Sequence, residues 1–475
     1  MMKPLDLITQ EEIENIHEKA LVLLETTGVK FMLPELLSRL QEEGLQVDFD
    51  QQLVRFPGEQ LEARLSTVPR RFVLGARSPE LACHIGEGGP YARSISGCVK
   101  IIDRRTGICR DGTMNDVAEA ARLIDALPNQ AACGGFIYPM DVDRTVADVA
   151  LLRGMVENSA KHIQMQPFQG RNMEFIIEML EAVSGSKSEI RANPLISVVV
   201  APTSPLRYAQ NEVEVLIAAA EHSIPMITAS TPVCGVSGPI TLAGMAVLQH
   251  AENLAAMAVH QIVNSGAPAF YAPRACMMDM RNANAVWGPI EFTMLNLVWL
   301  QLGRHCNFAV DSMSCTTDSK TTDEQSGIEK ALNALGSCLG GPDILGGFGM
   351  LETINTACFE QLVIDDELMG IVKRFQKGIK ITEETLALDL IQRVGVGGQY
   401  LDQEHTMKFY QKNHYLPTIF DRNVRGTWEN NGSKDVVQVA KQRVEKLLSE
   451  HTVPAPPHDV LRELERIWQA AIAQD

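Results

Sequence analysis

A cation with no N–H to donate is held by aromatic faces and carboxylates, and this chain sets both near the ends of short apolar runs. Its aromatics are few, 5% of 475 residues, yet Tyr91, Phe136, Tyr138, Phe168, Tyr271 and Phe348 fall at such positions or in a loop just before them. Each ring face contributes roughly 0.5–2 kcal/mol against a quaternary ammonium. Asp311 and Glu352 add carboxylates, although either residue type also caps helices.

Other chemistries fare worse. Cys306 and Cys315 flank one predicted strand and His305 adjoins Cys306. Sequence neighbours on a strand point to opposite faces, so a Cys–His nucleophile is not expected. No G-x-S-x-G elbow is present. His250 and His260 lie ten residues apart on one predicted helix and diverge, and His17, His84 and His222 have no ligands at useful spacing. None of the cysteines pairs as C-x-x-C. A metal held by this chain is therefore not expected.

Such side chains need elements to position them. From about residue 130, short apolar or β-rich runs begin near Ala132, His162, Leu195, Pro225, Ala269, Phe308 and Ile344, with a weaker run at Gly398–Leu401. A helical pattern follows each, as in 206–221, 241–263 and 289–302. Eight strand–helix alternations predict an α/β fold closed as a (β/α)₈ barrel, whose active mouth lies at the C-terminal strand ends. An open doubly wound sheet is the competing architecture, but no G-x-G-x-x-G opens a helix after a first strand.

Residues 1–115 read as an N-terminal α+β layer, 116–430 as the barrel and 431–475 as C-terminal helices broken by Pro454-Ala455-Pro456-Pro457. Thr9-x-x-Glu12 and Thr113-x-x-Asp116 are capping-box patterns. The glycines of Gly340–Glu352 permit close backbone approach, either beneath a large planar cofactor or as turn geometry.

The net charge of −17 excludes a nucleic-acid role, since phosphate binding needs a basic surface. Met1–Gln10 has no apolar core and carries Asp6, so no signal peptide is expected, and no run approaches the roughly 20 apolar residues of a membrane span. A reducing cytoplasm with free thiols fits the cysteines.

In order along the chain, several modest motifs accumulate. They include Glu11-Glu12-Ile13-Glu14-Asn15-Ile16-His17, Asp103-Arg104-Arg105-Thr106-Gly107 and Pro239-Ile240-Thr241-Leu242-Ala243-Gly244. Gln261–Pro268, Met278-Asp279-Met280-Arg281, Thr317-Asp318-Ser319-Lys320, Gly349-Met350-Leu351-Glu352 and Glu404-His405-Thr406 complete the set. This order resembles the trimethylamine methyltransferase superfamily, in its branch without pyrrolysine, over nearly the whole length. The segment Ser314–Thr317 matches the region where the trimethylamine enzymes carry that residue, and here it holds only standard ones.

The resemblance implies a barrel that moves a methyl group from an amine to the cobalt of a corrinoid carried by a separate protein. Attack on a methyl carbon expels an amine. A quaternary ammonium already carries a neutral leaving group, whereas a tertiary amine must first be activated. The expected substrate is thus a betaine, with glycine betaine first and proline betaine or carnitine behind it. On this reading Tyr91, Tyr138, Phe168 and Phe348 form the cage, with Asp311 facing the cation. Arg274 takes the carboxylate, with Arg93 and His405 competing.

Thr316, Asp318, Ser319 and Lys320 frame the corrinoid entry, although Asp318 and Ser319 alternatively cap a helix running from about 322 to 338. No covalent catalytic residue is expected, and a homo-oligomer is. Two rival readings are an amine-binding barrel without catalysis and an aldolase-like barrel with Lys320 as a Schiff-base lysine.

Overall fold

The computed structural model describes residues 3–474. Helix α1 (Gln10–Thr26) starts where the sequence places it: Thr9 Oγ1 accepts from the Glu12 N–H while the Glu12 carboxylate accepts from the Thr9 N–H. Ile13, Ala20 and Leu24 form its buried stripe. Gly28 ends it at φ +78°, where a Cβ would stand 2.4 Å from the Val54 carbonyl oxygen. Glycine is the residue that fits both constraints.

Eight parallel strands then close on themselves. They are β1 (Tyr91–Ser94), β2 (Gln130–Gly134), β3 (His162–Met165), β4 (Ile196–Val200), β5 (Met226–Thr228), β6 (Ala269–Tyr271), β7 (Ala309–Met313) and β8 (Ile344–Phe348). Each pairs with the next, and β8 returns to β1 with Ile344 beside Tyr91. One major helix follows each strand: α2 (Met114–Ala126), α3 (Ala147–Asn158), α4 (Met173–Ser184), α5 (Gln210–Glu221), α6 (Leu242–Val263), α7 (Ile290–His305), α8 (Glu324–Leu339) and α9 (Phe359–Gln376). Strands covered on both faces read as continuous apolar runs, and all of Ile196–Val200 is buried. The hairpin of Phe72–Leu74 and Cys83–Ile85 plugs the N-terminal end, packing Leu74 and Ile85 against Val199, Ile227, Phe270 and Ile344. Two further helices, α10 (Val436–Glu450) and α11 (His458–Ala473), lie against the barrel helices as an amphipathic pair.

The eighth strand is a correction. Gly398–Leu401 lies in an exposed irregular stretch, and the strand that closes the barrel is Tyr91–Ser94, upstream of the other seven. Four residues with a charged Arg93 at their centre give no aliphatic signal. The barrel tolerates that charge because a partner across the interior neutralises it.

Candidate active site

That partner is Asp311. Arg93, near the end of β1, forms a two-pronged ion pair with Asp311 of β7, Nε to Oδ2 at 2.9 Å and Nη2 to Oδ1 at 2.8 Å. Arg274, in the loop after β6, brings its Nη2 to 3.5 Å from Asp311 Oδ1. Glycine at 346 makes the room: a Cβ there would lie 2.6 Å from the Arg93 guanidinium. The Gly346–Gly347 pair thus serves a buried arginine and the close-packed Cys315 backbone, rather than a planar cofactor.

Two guanidinium groups against one carboxylate leave this buried cluster with a net charge of +1. Burial pushes Arg274 down to about 10, opposed by Asp311 and reinforced by Arg93, so the group stays charged at neutral pH. Its Nε has no hydrogen-bond partner among the described residues, and its Nη2 has only the 3.5 Å approach to Asp311. Its backbone, by contrast, is fixed: the N–H donates to Ser230 O at 2.7 Å, and the carbonyl accepts from Gln249 Nε2 at 2.6 Å. Nearby Glu252 accepts from Ser230 Oγ, Ser204 Oγ and the Leu206 N–H, tying the loops after β4 and β5 to α6. A buried cation with idle donors on a fixed backbone is built to take an anion, and a carboxylate matches its fork.

The loops after β5 to β8 wall a cleft of about 850 Å³, in which Asp318, Lys320, Glu329, Glu352 and Asn355 carry polar groups. Its floor is unusual. Glu352, Thr353 and Ile354 follow one another at φ +52°, +51° and +74°. The left-handed region costs a non-glycine residue about 1–2 kcal/mol, and such turns persist only when neighbours hold them. Here Ser319 O and Thr317 O accept from the Glu352 and Thr353 N–H groups at 2.8 and 3.1 Å, and Thr353 Oγ1 donates to Asp318 at 2.6 Å. The Thr317–Ser319 segment therefore sets the Glu352 backbone, and Thr356 Oγ1, donating to its Oε2 at 2.7 Å, holds the carboxylate.

Several sequence-derived sites move. Tyr91 begins β1 at the plugged end of the barrel, where its hydroxyl accepts the His84 N–H, so it is far from the mouth. Phe348 is wholly buried in the core. His405 sits on the helix Glu404–Asn413, outside the barrel strands, against the Glu384 carbonyl. Asp311 is engaged by Arg93 and is not free to face a substrate cation.

Tyr138 and Phe168 do meet, edge to face with centroids 5.4 Å apart, beyond the C-terminal ends of β2 and β3. Thr316 and Ser319 are buried, with Thr316 Oγ1 donating to Trp287 O and Ser319 Oγ to Asp323. Asp318 clamps three loops, accepting from the Trp287 and Gly288 N–H groups and from Thr353. The N-cap of α8 is Asp323, not Asp318 or Ser319. Lys320 alone of the four is exposed, its Nζ donating to Asp318 O at 2.8 Å. An exposed, solvated amine lacks the desolvation that activates a Schiff-base lysine.

A closed (β/α)₈ barrel with a charged, partly unsatisfied mouth is an enzyme scaffold whose site lies in its C-terminal loops. The family model described as trimethylamine methyltransferase matches residues 1–470, and the chain belongs to that family of methyltransferases. It is 31% identical over 459 residues to a trimethylamine methyltransferase of Desulfitobacterium hafniense strain DSM 10664 / DCB-2, covering 97% of this chain and 92% of that protein. A glycine betaine methyltransferase of Desulfitobacterium hafniense strain Y51 is 29% identical over 471 residues, covering 99% and 97%. The crystal structure of the Methanosarcina barkeri monomethylamine methyltransferase shares the fold, with a TM-score of 0.50 at 11% identity and 97% coverage of each chain.

Proposed function

We propose that this methyltransferase demethylates a betaine, glycine betaine foremost, with proline betaine and carnitine as larger alternatives. The observation that carries the reading is the buried Arg93–Asp311–Arg274 cluster, whose net positive charge and idle Arg274 donors suit a substrate carboxylate. Trimethylamine has no carboxylate and would leave that charge uncompensated. Glu352, held at the cleft floor, and the Tyr138–Phe168 pair supply the negative charge and ring faces that a quaternary nitrogen prefers. A corrinoid on a separate protein supplies the cobalt that accepts the methyl group. The open cleft of about 850 Å³ at the mouth suits the approach of such a group, and Lys320 stands exposed at its wall. The chain's own work is positioning and charge placement, with no general acid required.

The test mixes the protein with a reduced corrinoid protein and follows cobalt methylation by absorbance. We expect methylation with a betaine and none with trimethylamine; equal rates on trimethylamine would sink the reading. In the same assay Lys320→Glu should slow methylation of the protein-bound acceptor more than that of free cobalamin, and equal slowing would remove Lys320 from the docking edge. The rival reading of a non-catalytic binder predicts betaine binding with unmethylated cobalt.

A further inference from the structure

Away from the mouth, three side chains from distant points in the sequence converge where α1 lies against α6 and the end of α7. His17 Nδ1 is 2.8 Å from His250 Nε2, Cys306 Sγ is 3.8 Å from His17 Nδ1, and the three ligand atoms all lie within 4.8 Å of one another. His17 has no ligands near it along the chain; helix packing supplies them.

The outer nitrogens matter as much as the inner ones. His250 Nδ1 is 2.9 Å from the Tyr271 hydroxyl, and His17 Nε2 is 4.0 Å from the Glu62 carboxylate. Ligating imidazoles characteristically give their second N–H to an oxygen of this kind, which fixes the ring and its tautomer. The His250 ring has that partner in Tyr271, the His17 ring has the Glu62 carboxylate nearby at 4.0 Å, and the two rings turn their other nitrogens toward each other.

We propose that His17 Nδ1, His250 Nε2 and Cys306 Sγ form a binding site for a borderline dication of the Zn(II) class, which fastens α1 to the barrel wall. Two imidazoles and a thiolate suit zinc in type and number, with the fourth position left to solvent. Tetrahedral bonds of about 2.0–2.1 Å to nitrogen and 2.3 Å to sulfur require N···N near 3.3 Å and N···S near 3.6 Å. The observed 2.8 and 3.8 Å are within about half an ångström of that, a side-chain adjustment.

Proton balance is simple. Metal binding would place the imidazole protons on the outer nitrogens and release one proton from Cys306 to solvent. The location suits a staple: the same stretch is already tied to α7 through Gln301, whose side chain accepts from the Leu7 and Ile8 N–H groups and donates to Ile8 O.

The full-length chain is stripped with chelator and titrated with Zn(II) and, separately, Co(II). We expect one Zn(II) per chain with a Kd below about 1 μM, a higher Tm on loading, and a thiolate-to-cobalt charge-transfer band with Co(II). Cys306→Ser removes only the sulfur and should erase the band and weaken Zn(II) binding by at least about 100-fold. His17→Ala, near the surface, is the second variant and should abolish the Tm gain. Absence of binding to the native chain, or a band and affinity that survive Cys306→Ser, overturns the proposal. The exposed Cys109 makes that control necessary.

Discussion

On the proposed function, Arg274 is the residue on which substrate choice turns. A charge-assisted hydrogen bond in a buried site contributes about 2–3 kcal/mol, so Arg274→Met should raise the KM for glycine betaine by roughly 30- to 150-fold. The fold should survive, since Arg93 and Asp311 remain as a matched pair. An unchanged KM would remove Arg274 from the substrate site. The pH dependence follows from the pKa of Arg274, which burial lowers from the ordinary arginine range to about 10. Binding that needs the charged form is flat through neutrality and falls as pH rises through about 10.

The place of this arginine in the barrel was legible in the sequence because it follows an apolar run at a strand end. The task of Asp311 was not. A carboxylate at a strand end reads equally as a substrate ligand or a partner for another side chain, and only the closed barrel shows Arg93 two residues from the start of a strand across the interior.

At the scale of elements, the other seven barrel strands and their helices could be read from periodicity because burial on both faces imposes apolar composition. The closing strand could not, because its stability comes from one ion pair and a glycine opposite it. A similar buried pair anchors the loop after β7: Lys330 of α8 donates to Cys315 O at 3.0 Å and to Asp365 of α9 at 2.8 Å. Asp365 also accepts the Gly349 N–H at 2.6 Å, so one carboxylate joins the loops after β7 and β8. Removing one member of a buried pair leaves the other uncompensated, at a cost of about 3–5 kcal/mol. We expect Lys330→Met to lose stability of that order in urea unfolding, and to loosen the Thr317–Ser319 backbone that holds Glu352. A variant as stable as the native chain would show that Asp365 relaxes to another donor.

At the scale of the whole molecule, residues 379–412 are largely exposed, and Asn413 and Tyr415 tie the segment to α9 through Arg374 and Glu367. The helices Glu383–Leu386, Leu388–Val394 and Glu404–Asn413 bury only Leu390, while Ile379, Val396, Leu401 and Met407 are between 79% and 109% exposed. Apolar exposure on this scale marks an association surface. We propose that it joins a second copy of this chain, and charge supports that occupant. The full chain carries −17, so two copies repel over most of their surface. In this segment Glu383, Glu384, Asp389, Asp402 and Glu404 stand against Lys380, Arg393, Lys408 and Lys412, leaving only −1. Like copies meet there with little electrostatic repulsion. Sedimentation of the native chain should give an oligomer, and Val396→Glu with Leu401→Glu should shift it toward monomer without altering the circular dichroism. Val396 and Leu401 touch nothing that the fold needs, so the shift would report on association alone. A native monomer, or an oligomer indifferent to both charges, would place the contact between copies elsewhere.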